Sequence, residues 1–360
     1  MGKKLWIFGS GNGKTYADNS RALFEYICRN QPEIKAVWLT NDKKIHSQIK
    51  AEGNEAELFY SWKGIKVALF SHTIVLTNSF LDVSLFTYIL FPRHKFIAQL
   101  WHGTPLKVLE NMEWPSSKKL LINIFLFYIG RDCDIVFSAT ELNIPMYMNN
   151  FRVKKSQIAV TGQPRNDYLF KHVTKPKKKE IWYVPTFREF DTEYDFFQAN
   201  NFDPQRMDAF LRKNNAHLYL KLHHVDANKF DKYTANLKTL KNISVAKPDN
   251  LYEALGNASI LLTDYSSVYF DYLLLDKPII FTCFDYETYK RKRDFYYDYA
   301  EVTPGPKVSN WPEVIEQLDL LFKGDDWHKS RAKVNNRFNK YQDAFSSKRV
   351  FKTIQKTIDA

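Results

Sequence analysis

Short apolar runs, separated by longer stretches with helical spacing, recur along the chain. Leu5–Phe8 is apolar and ends at glycines, as a buried parallel strand does. Asn19–Asn30 then sets Leu23, Phe24 and Ile27 on one helical face, with Asp18 or Asn19 able to cap it. Ala36–Leu39 is the next predicted strand, followed by a polar helix to Glu52. Thr73–Thr77 and Phe96–Leu100 have the pattern of two more buried strands. Ile135–Ser138 and Ile158–Val160 follow after a long insertion. This alternation predicts a doubly wound parallel sheet.

The pattern breaks at Lys171–Lys179, a basic stretch with Pro176 and no periodicity, which reads as a linker. A second series then runs through Ile181–Val184, Leu218–Leu222, Ile243–Val245, Ile260–Thr263 and Pro278–Thr282. Helical segments are predicted at Pro204–Asn214, at Leu251–Gly256 and in the charged tail from Trp311. No internal repeat is present. The expected organisation is α/β: two Rossmann-like domains, residues 1–170 and 180–330, joined by a linker at 171–179 and followed by a helical tail at 331–360. Two such halves are expected to face each other across a cleft, with ligands beyond the carboxyl ends of the strands.

Composition narrows the function classes. At 360 residues the chain is long enough for two domains of about 100–200 residues each. Its 44% hydrophobic and 16% aromatic content excludes a disordered chain. Fifty-two basic against 40 acidic residues leave a net charge of +12, which favours an anionic partner: nucleic acid, a phosphorylated substrate or an anionic membrane surface. The three cysteines lie far apart with no CxxC pair, which argues against a thiol-clamped zinc site or a disulfide framework and suits a reducing cytosol. Leu5–Phe8 is too short for a secretory signal. Trp6 stands where N-myristoylation wants Ser or Thr, and no run reaches the length of a membrane span.

Several motifs carry chemistry. GSGNGKT at Gly9–Thr15 tempts a phosphate-loop reading, but Phe8 and Lys14 stand where the glycine patterns need glycine. It reads as a flexible strand-to-helix loop whose amides can still meet an acceptor phosphate. QLWHGTP at Gln99–Pro105 sets His102 directly after a strand, on the rim of the expected cleft, with Gly103 and Thr104 as neighbouring substrate contacts. An imidazole of near-neutral pKa can take a proton from an alcohol; the plainer reading is a structural histidine in a turn. KLHH closes another strand, where Lys221, His223 and His224 offer donors to phosphate oxygens. Successive residues of an extended segment point oppositely, and His223, first after the strand, is the one expected to enter the cleft. A zinc reading lacks ligands at suitable spacing, although Asp226 is near.

TDYSS contributes Thr263, Asp264, Ser266 and Ser267 between a strand and an apolar helix from Val268 to Leu275. Serine hydroxyls and free amides at a helix N-terminus suit a diphosphate, while Asp264 can equally be a cap. PTFRE places Arg188 past a strand, either paired bidentately with phosphate or in an internal salt bridge with Glu189 or Asp191. In TGQPRND, Arg165 and Asp167 either line the cleft floor or fix the interdomain turn. Trp114–Arg131 holds the densest apolar run, Leu120–Ile129, flanked by Lys118, Lys119 and Arg131. It suits an interfacial membrane element or a buried core helix, and Lys175–Lys179 can add attraction to anionic lipid.

Taken together, QLWHGTPLK, TGQPRND, PTFRE, KLHH and TDYSSVYFDYLLLDKPIIF resemble the CDP-glycerol glycerophosphotransferase family, which builds teichoic-acid-type polyol-phosphate polymers. FGS...ADNSRALFEYI (Phe8–Ile27) is similar to that family's opening, and the likeness runs over most of residues 5–290. It implies a GT-B fold, with the 331–360 tail crossing back to the first domain. It also implies a cytoplasmic protein held peripherally at the inner face of the membrane. The implied donor is CDP-glycerol or CDP-ribitol, bound by the C-terminal domain; the implied acceptor is lipid-linked, of undecaprenyl diphosphate type. The resemblance assigns His102 as catalytic base, with His223, Arg188, Ser266 and Ser267 on the donor diphosphate. His224 stands where the family usually has proline. The resemblance leads us to expect a compact member, such as a priming transferase or a short polymerase, without the long extra N-terminal region of the large polymerases.

The expected reaction is attack of an acceptor hydroxyl on phosphorus with release of CMP. Positioning and electrostatic stabilisation dominate such a reaction. No acidic DxD-like pair stands at an obvious strand end, so no essential metal and no cofactor beyond the donor is expected. Rival readings are a GT-B glycosyltransferase using a nucleotide sugar and a non-catalytic protein binding anionic polymer or membrane. Nucleic-acid binding is weakest, since the basic residues are spread and no reading motif is present.

Overall fold

The computed structural model describes residues 4–84, 95–108, 133–171, 177–188, 190–191, 194–222 and 240–359. These fall into two compact units. One draws on Met1–Thr104, Leu109–Tyr168 and Lys340–Ala360, the other on Pro105–Val108 and Leu169–Asn339.

In the first unit, β1 (Lys4–Phe8), β2 (Ile34–Thr40), β3 (Ala56–Leu58), β4 (Thr73–Leu76), β5 (Phe96–Gln99), β6 (Ile135–Ser138) and β7 (Ile158–Val160) form one sheet. Its order is β3-β2-β1-β4-β5-β6-β7 and every pairing is parallel. α1 (Asp18–Asn30), α2 (Lys43–Ala51), α3 (Trp62–Phe70) and α4 (Ile144–Phe151) connect the strands. The central strands are mainly apolar because both faces are covered, with charged residues such as Lys4 and Lys35 at exposed positions. On β1, Trp6 and Phe8 join a cluster with Leu23, Phe24 and Ile27 of α1, while Ile7 points into the opposite cluster with Ala68 of α3 and Tyr147 of α4.

The second unit repeats the scheme. β8 (Lys179–Val184), β9 (Ala216–Leu220), β10 (Ile243–Val245), β11 (Ile260–Thr263), β12 (Ile279–Thr282) and β13 (Lys307–Val308) form a parallel sheet of order β10-β9-β8-β11-β12-β13. α5 (Pro204–Lys213), α6 (Leu251–Asn257), α7 (Val268–Tyr272), α8 (Tyr286–Lys292), α9 (Tyr299–Val302), α10 (Trp311–Lys323) and α11 (His328–Phe338) surround it. Met207, Leu211, Trp311, Val314 and Leu318 cover one face; Leu255, Tyr269, Phe270, Val334 and Phe338 cover the other. Lys179, placed in the linker by its charge, opens β8 instead. Its exposed ammonium sits 4.1 Å from the Phe322 ring centroid.

The last helix, α12 (Ser346–Ile358), belongs to the first unit. Val350, Phe351 and Ile354 pack into the cluster of Trp6 and Phe24. Asp167 fixes its start by accepting the amides of Ser346 and Ser347 at 2.8 and 2.9 Å. Burial raises the Asp167 pKa, and these bonds, with that of the Ser347 hydroxyl, partly offset the rise. Asp167 is therefore a helix cap within one unit. In each sheet the strand order reverses once, between β1 and β4 and between β8 and β11, and such crevices are where doubly wound sheets hold ligands.

Candidate functional site

In the first sheet, the loop Gly9–Thr15 leaves β1 at the switch point. Gly11 and Gly13 adopt φ of +55° and +75°, and Asn12 follows at 56°, so the chain turns left-handed. The carboxylate of Asp82 clamps this turn. It accepts from Asn12 N–H at 2.9 Å and from the amides of Thr77, Asn78 and Ser79. Burial raises the Asp82 pKa and the four amides work against the rise. The Gly13 and Lys14 amides bond back to Ser10 and Gly11 carbonyls. The expectation that this loop offers its amides to a phosphate fails at Asn12, Gly13 and Lys14, because those donors are already used.

One strand over, β5 ends at Gln99, and His102 follows three residues later. Trp101 has φ of +57° and Gly103 of +135°, so His102 stands in a sharply folded loop. A left-handed tryptophan costs about 1–2 kcal/mol, which the surroundings must offset. The Gln99 side chain accepts from Trp101 N–H at 3.0 Å, and the Trp101 ring packs edge-on against Phe151. The imidazole of His102 lies 3.9 Å from the Trp101 ring, centroid to centroid, and is exposed. Its backbone carbonyl accepts from Arg165 Nη1 at 2.7 Å. The loop backbone is thus held while the imidazole faces solvent, the arrangement a proton acceptor for an incoming hydroxyl requires.

Gly103, Thr104 and Arg165 do not share that exposure. Thr104 is buried, and so is Gly103, whose carbonyl accepts from Tyr147 hydroxyl at 3.3 Å. Arg165 is buried and paired with Asp18 at 2.8 Å. Gly103 and Thr104 were expected to touch substrate, and Arg165 either to do so or to fix a turn; here all three are buried around the histidine loop.

In the second sheet, PTFRE leaves β8 and TDYSS leaves β11, the two strands flanking the switch point. Asp264 joins them, accepting from Thr186 N–H at 2.8 Å and from Tyr265 N–H at 2.6 Å. Arg188 was expected to reach a phosphate or to pair with Glu189 or Asp191. Its side chain is instead 2% exposed. It donates from Nε and Nη2 to both oxygens of Asp285 at 2.7 and 2.8 Å, lies 2.9 Å from Asp264, and donates to the Thr186 carbonyl at 2.7 Å. Burial alone lowers its pKa, but Asp264 and then Asp285 outweigh burial and hold it well above the ordinary arginine value. The rings of Tyr265 and Tyr289 lie on it, each centroid 4.9 Å from the guanidinium carbon. Arg188 thus locks the crevice floor, and two carboxylates neutralise it before any phosphate arrives.

Thr263 is likewise spent, its hydroxyl donating to the Val184 carbonyl at 2.7 Å. Ser266 and Ser267 are half-buried at the start of α7. Ser266 Oγ accepts the Val268 amide at 3.4 Å, and the Ser267 side chain makes no capping bond. The expected helix is shorter than its apolar pattern suggested: α7 ends at Tyr272 and a 3-10 turn, Leu273–Leu275, completes it. Lys221 follows β9, half-buried, donating to the Leu222 carbonyl at 3.3 Å, and burial lowers its pKa. His223, His224 and the apolar run Leu120–Ile129 lie outside the described residues.

Asp285 and Asp264, both just past neighbouring strands, form a carboxylate pair that sequence reasoning missed. The signal was present in FTCFDYE after β12, but 21 residues separate the two, and only the parallel pairing of β11 with β12 brings them together.

The family profile described as CDP-Glycerol:Poly(glycerophosphate) glycerophosphotransferase matches residues 1–356. The chain belongs to this family. The family's description names a phosphotransferase, which favours that reading over a glycosyltransferase or a non-catalytic protein. The poly(glycerol phosphate) polymerase of Bacillus subtilis is 29% identical over 90% of this chain. The chain spans only 44% of that polymerase's length. A teichoic acid glycerol-phosphate transferase of Staphylococcus aureus is 28% identical over 98% of this chain and 93% of its own. Among solved structures, the wall teichoic acid polymerase TagF superposes with a TM-score of 0.78 at 21% identity, over 99% of this chain and 89% of that one. A UDP-GlcNAc 2-epimerase from Neisseria meningitidis reaches 0.57 at 13% identity, over 98% of this chain and 99% of its own. These likenesses show the doubly wound two-sheet fold, shared by this glycerophosphotransferase family member and a sugar-nucleotide enzyme.

Proposed function

We propose that this chain transfers glycerol phosphate or ribitol phosphate from its CDP ester to a hydroxyl of a lipid-linked acceptor, releasing CMP, in the synthesis of a teichoic-acid- or capsule-type polymer. One observation carries the reading: a chain that matches the family over its length presents the His102 imidazole to solvent on a firmly anchored loop at a strand's carboxyl end. Relatives named for glycerol phosphate and for ribitol phosphate support the donor class, and a TagF variant was soaked with CDPG.

His102 takes the acceptor proton as the hydroxyl oxygen bonds to the β-phosphorus, the one carrying the polyol. The bond from that phosphorus to the bridging oxygen breaks, and the electron pair leaves with CMP. A positioned base contributes about 10²–10⁴-fold. The half-buried Ser266 and Ser267 are the residues proposed to hold the donor's phosphates. Arg188 serves from beneath by holding Asp264 and the TDYSS turn. The proposal includes no metal ion, and turnover is expected to persist in EDTA. The test is a donor panel: CDP-glycerol, CDP-ribitol and UDP-sugars, each with a lipid-like acceptor. Turnover of one CDP-polyol is the expected result; turnover of a UDP-sugar alone overturns it.

An inner-membrane location follows from such an acceptor, and α3 supports it. Trp62, Ile65 and Phe70 face outward on this helix, with Trp62 83% and Phe70 64% exposed, and Lys63 and Lys66 are exposed beside them. The helix is fixed from inside by Lys95, whose buried ammonium donates to the carbonyls of Ala68 and Leu69 at its C-terminus. Aromatic and basic residues on one exposed stripe fit an anionic bilayer surface. Among the described residues no helix is long and apolar enough to cross a membrane. Wild type is expected to sediment with vesicles containing anionic lipid. Trp62→Ala with Phe70→Ala is expected to weaken this tenfold or more, since each buried ring is worth about 1.5–3 kcal/mol. Unchanged sedimentation removes α3 from the interface.

A further inference from the structure

We infer that Asn19 is a positioning residue for His102: one buried carboxamide ties three separate segments into the mount of that imidazole. The inference rests on the base role proposed above for His102. The second residue of α1, Asn19 is fully buried. Its Nδ2 donates to the Trp101 carbonyl at 2.7 Å and to Gln163 Oε1. Its Oδ1 accepts the Arg165 amide at 3.0 Å. Arg165 in turn donates to the His102 carbonyl and to Asp18 Oδ1, both from Nη1. The peptide groups of Trp101 and His102 are therefore gripped by adjacent residues, one through Asn19 directly and one through Arg165.

Geometry explains why a carboxamide stands here. The loop needs one donor for the Trp101 carbonyl and one acceptor for the Arg165 amide, at opposite ends of one short side chain. Asn offers both on separate atoms; Asp lacks the donor, Leu lacks both, and Ser has a single hydroxyl that cannot reach the two places at once. Trp101 and Gly103 bracket His102 at positive φ, so the loop has a relaxed alternative if the grip is released. Asp18 itself sits at φ +65°, its carboxylate turned back to the Asn19 amide and to Arg165. Contrary to the sequence expectation, neither Asp18 nor Asn19 caps α1, since the N-cap is Ala17 with no side-chain bond; on this inference the DNS segment, Asp18–Ser20, instead sets where the base points.

A misplacement of about 1 Å at a reacting group costs on the order of 10²-fold in rate. Asn19→Ala is expected to lower kcat by about that factor while leaving the affinity for CDP-glycerol unchanged. The deciding readout is a double-mutant cycle with His102→Ala. If Asn19 acts through the imidazole, its replacement in the His102→Ala background lowers the residual rate by less than twofold. An equal loss in both backgrounds overturns the inference and leaves Asn19 a fold residue. Should Asn19→Ala not fold, Arg165→Lys enters the same cycle, since lysine cannot hold the His102 carbonyl and Asp18 with a planar fork. If His102→Ala alone keeps wild-type turnover, the base assignment has failed, and a rate loss in Asn19→Ala then refutes positioning through the imidazole.

Discussion

His102→Ala is expected to lower transfer from the CDP-polyol by about 10²–10⁴-fold, the range a positioned general base supplies, with the equilibrium affinity for the donor nearly unchanged. The split follows from placement. The imidazole is exposed just past β5 in the first unit, and its loop is held through the carbonyls of Trp101 and His102, which truncating the ring leaves in place. The donor grip is assigned to the second unit, whose TDYSS turn is built independently around Asp264. Single-turnover rates beside calorimetric donor binding check this. A variant that loses donor affinity in proportion to its rate contradicts the base role.

Arg188→Met is expected to have the largest effect on stability. It removes a guanidinium that pairs with both Asp264 and Asp285 and leaves two carboxylates at a site of almost no exposure. Breaking a buried pair in this way costs about 3–5 kcal/mol. For a unit of this size, each kcal/mol corresponds to roughly 2–4 °C, so the melting transition should fall by on the order of ten degrees. Adding Asp285→Asn should return part of the loss, because one unpaired charge disappears. Scanning calorimetry of wild type and the two variants measures both. If Arg188→Met melts like wild type yet binds donor weakly, the guanidinium is a phosphate ligand after all, as its motif first suggested.

That reversal shows where sequence reading stopped. The strands were legible because parallel strands covered on both faces are apolar without interruption, as at Ile260–Thr263 and Ile135–Ser138. β3 and β13 escaped because three and two residues make no such run. α3 escaped for a physical reason that matters more. Trp62, Ile65 and Phe70 face outward, so its pattern is not that of a helix packed by its apolar side. Positions just past a strand were readable, as with His102 and Asp264. Site roles were not, because they depend on partners far along the chain. Arg188 meets Asp285 across 97 residues, and Asn19 meets the Arg165 amide across 146. A motif with arginine beside a strand end looks the same whether the charge is offered to a ligand or already spent.

The identity of the released nucleotide tests the central claim most directly. Attack on phosphorus breaks the diphosphate and frees CMP, with the acceptor heavier by one polyol phosphate. Attack on carbon in the same donor frees CDP and adds the polyol alone. Incubation with CDP-glycerol or CDP-ribitol and a lipid-like acceptor, followed by mass analysis of both products, is predicted to give CMP in step with each polyol phosphate gained. CDP in its place contradicts the account.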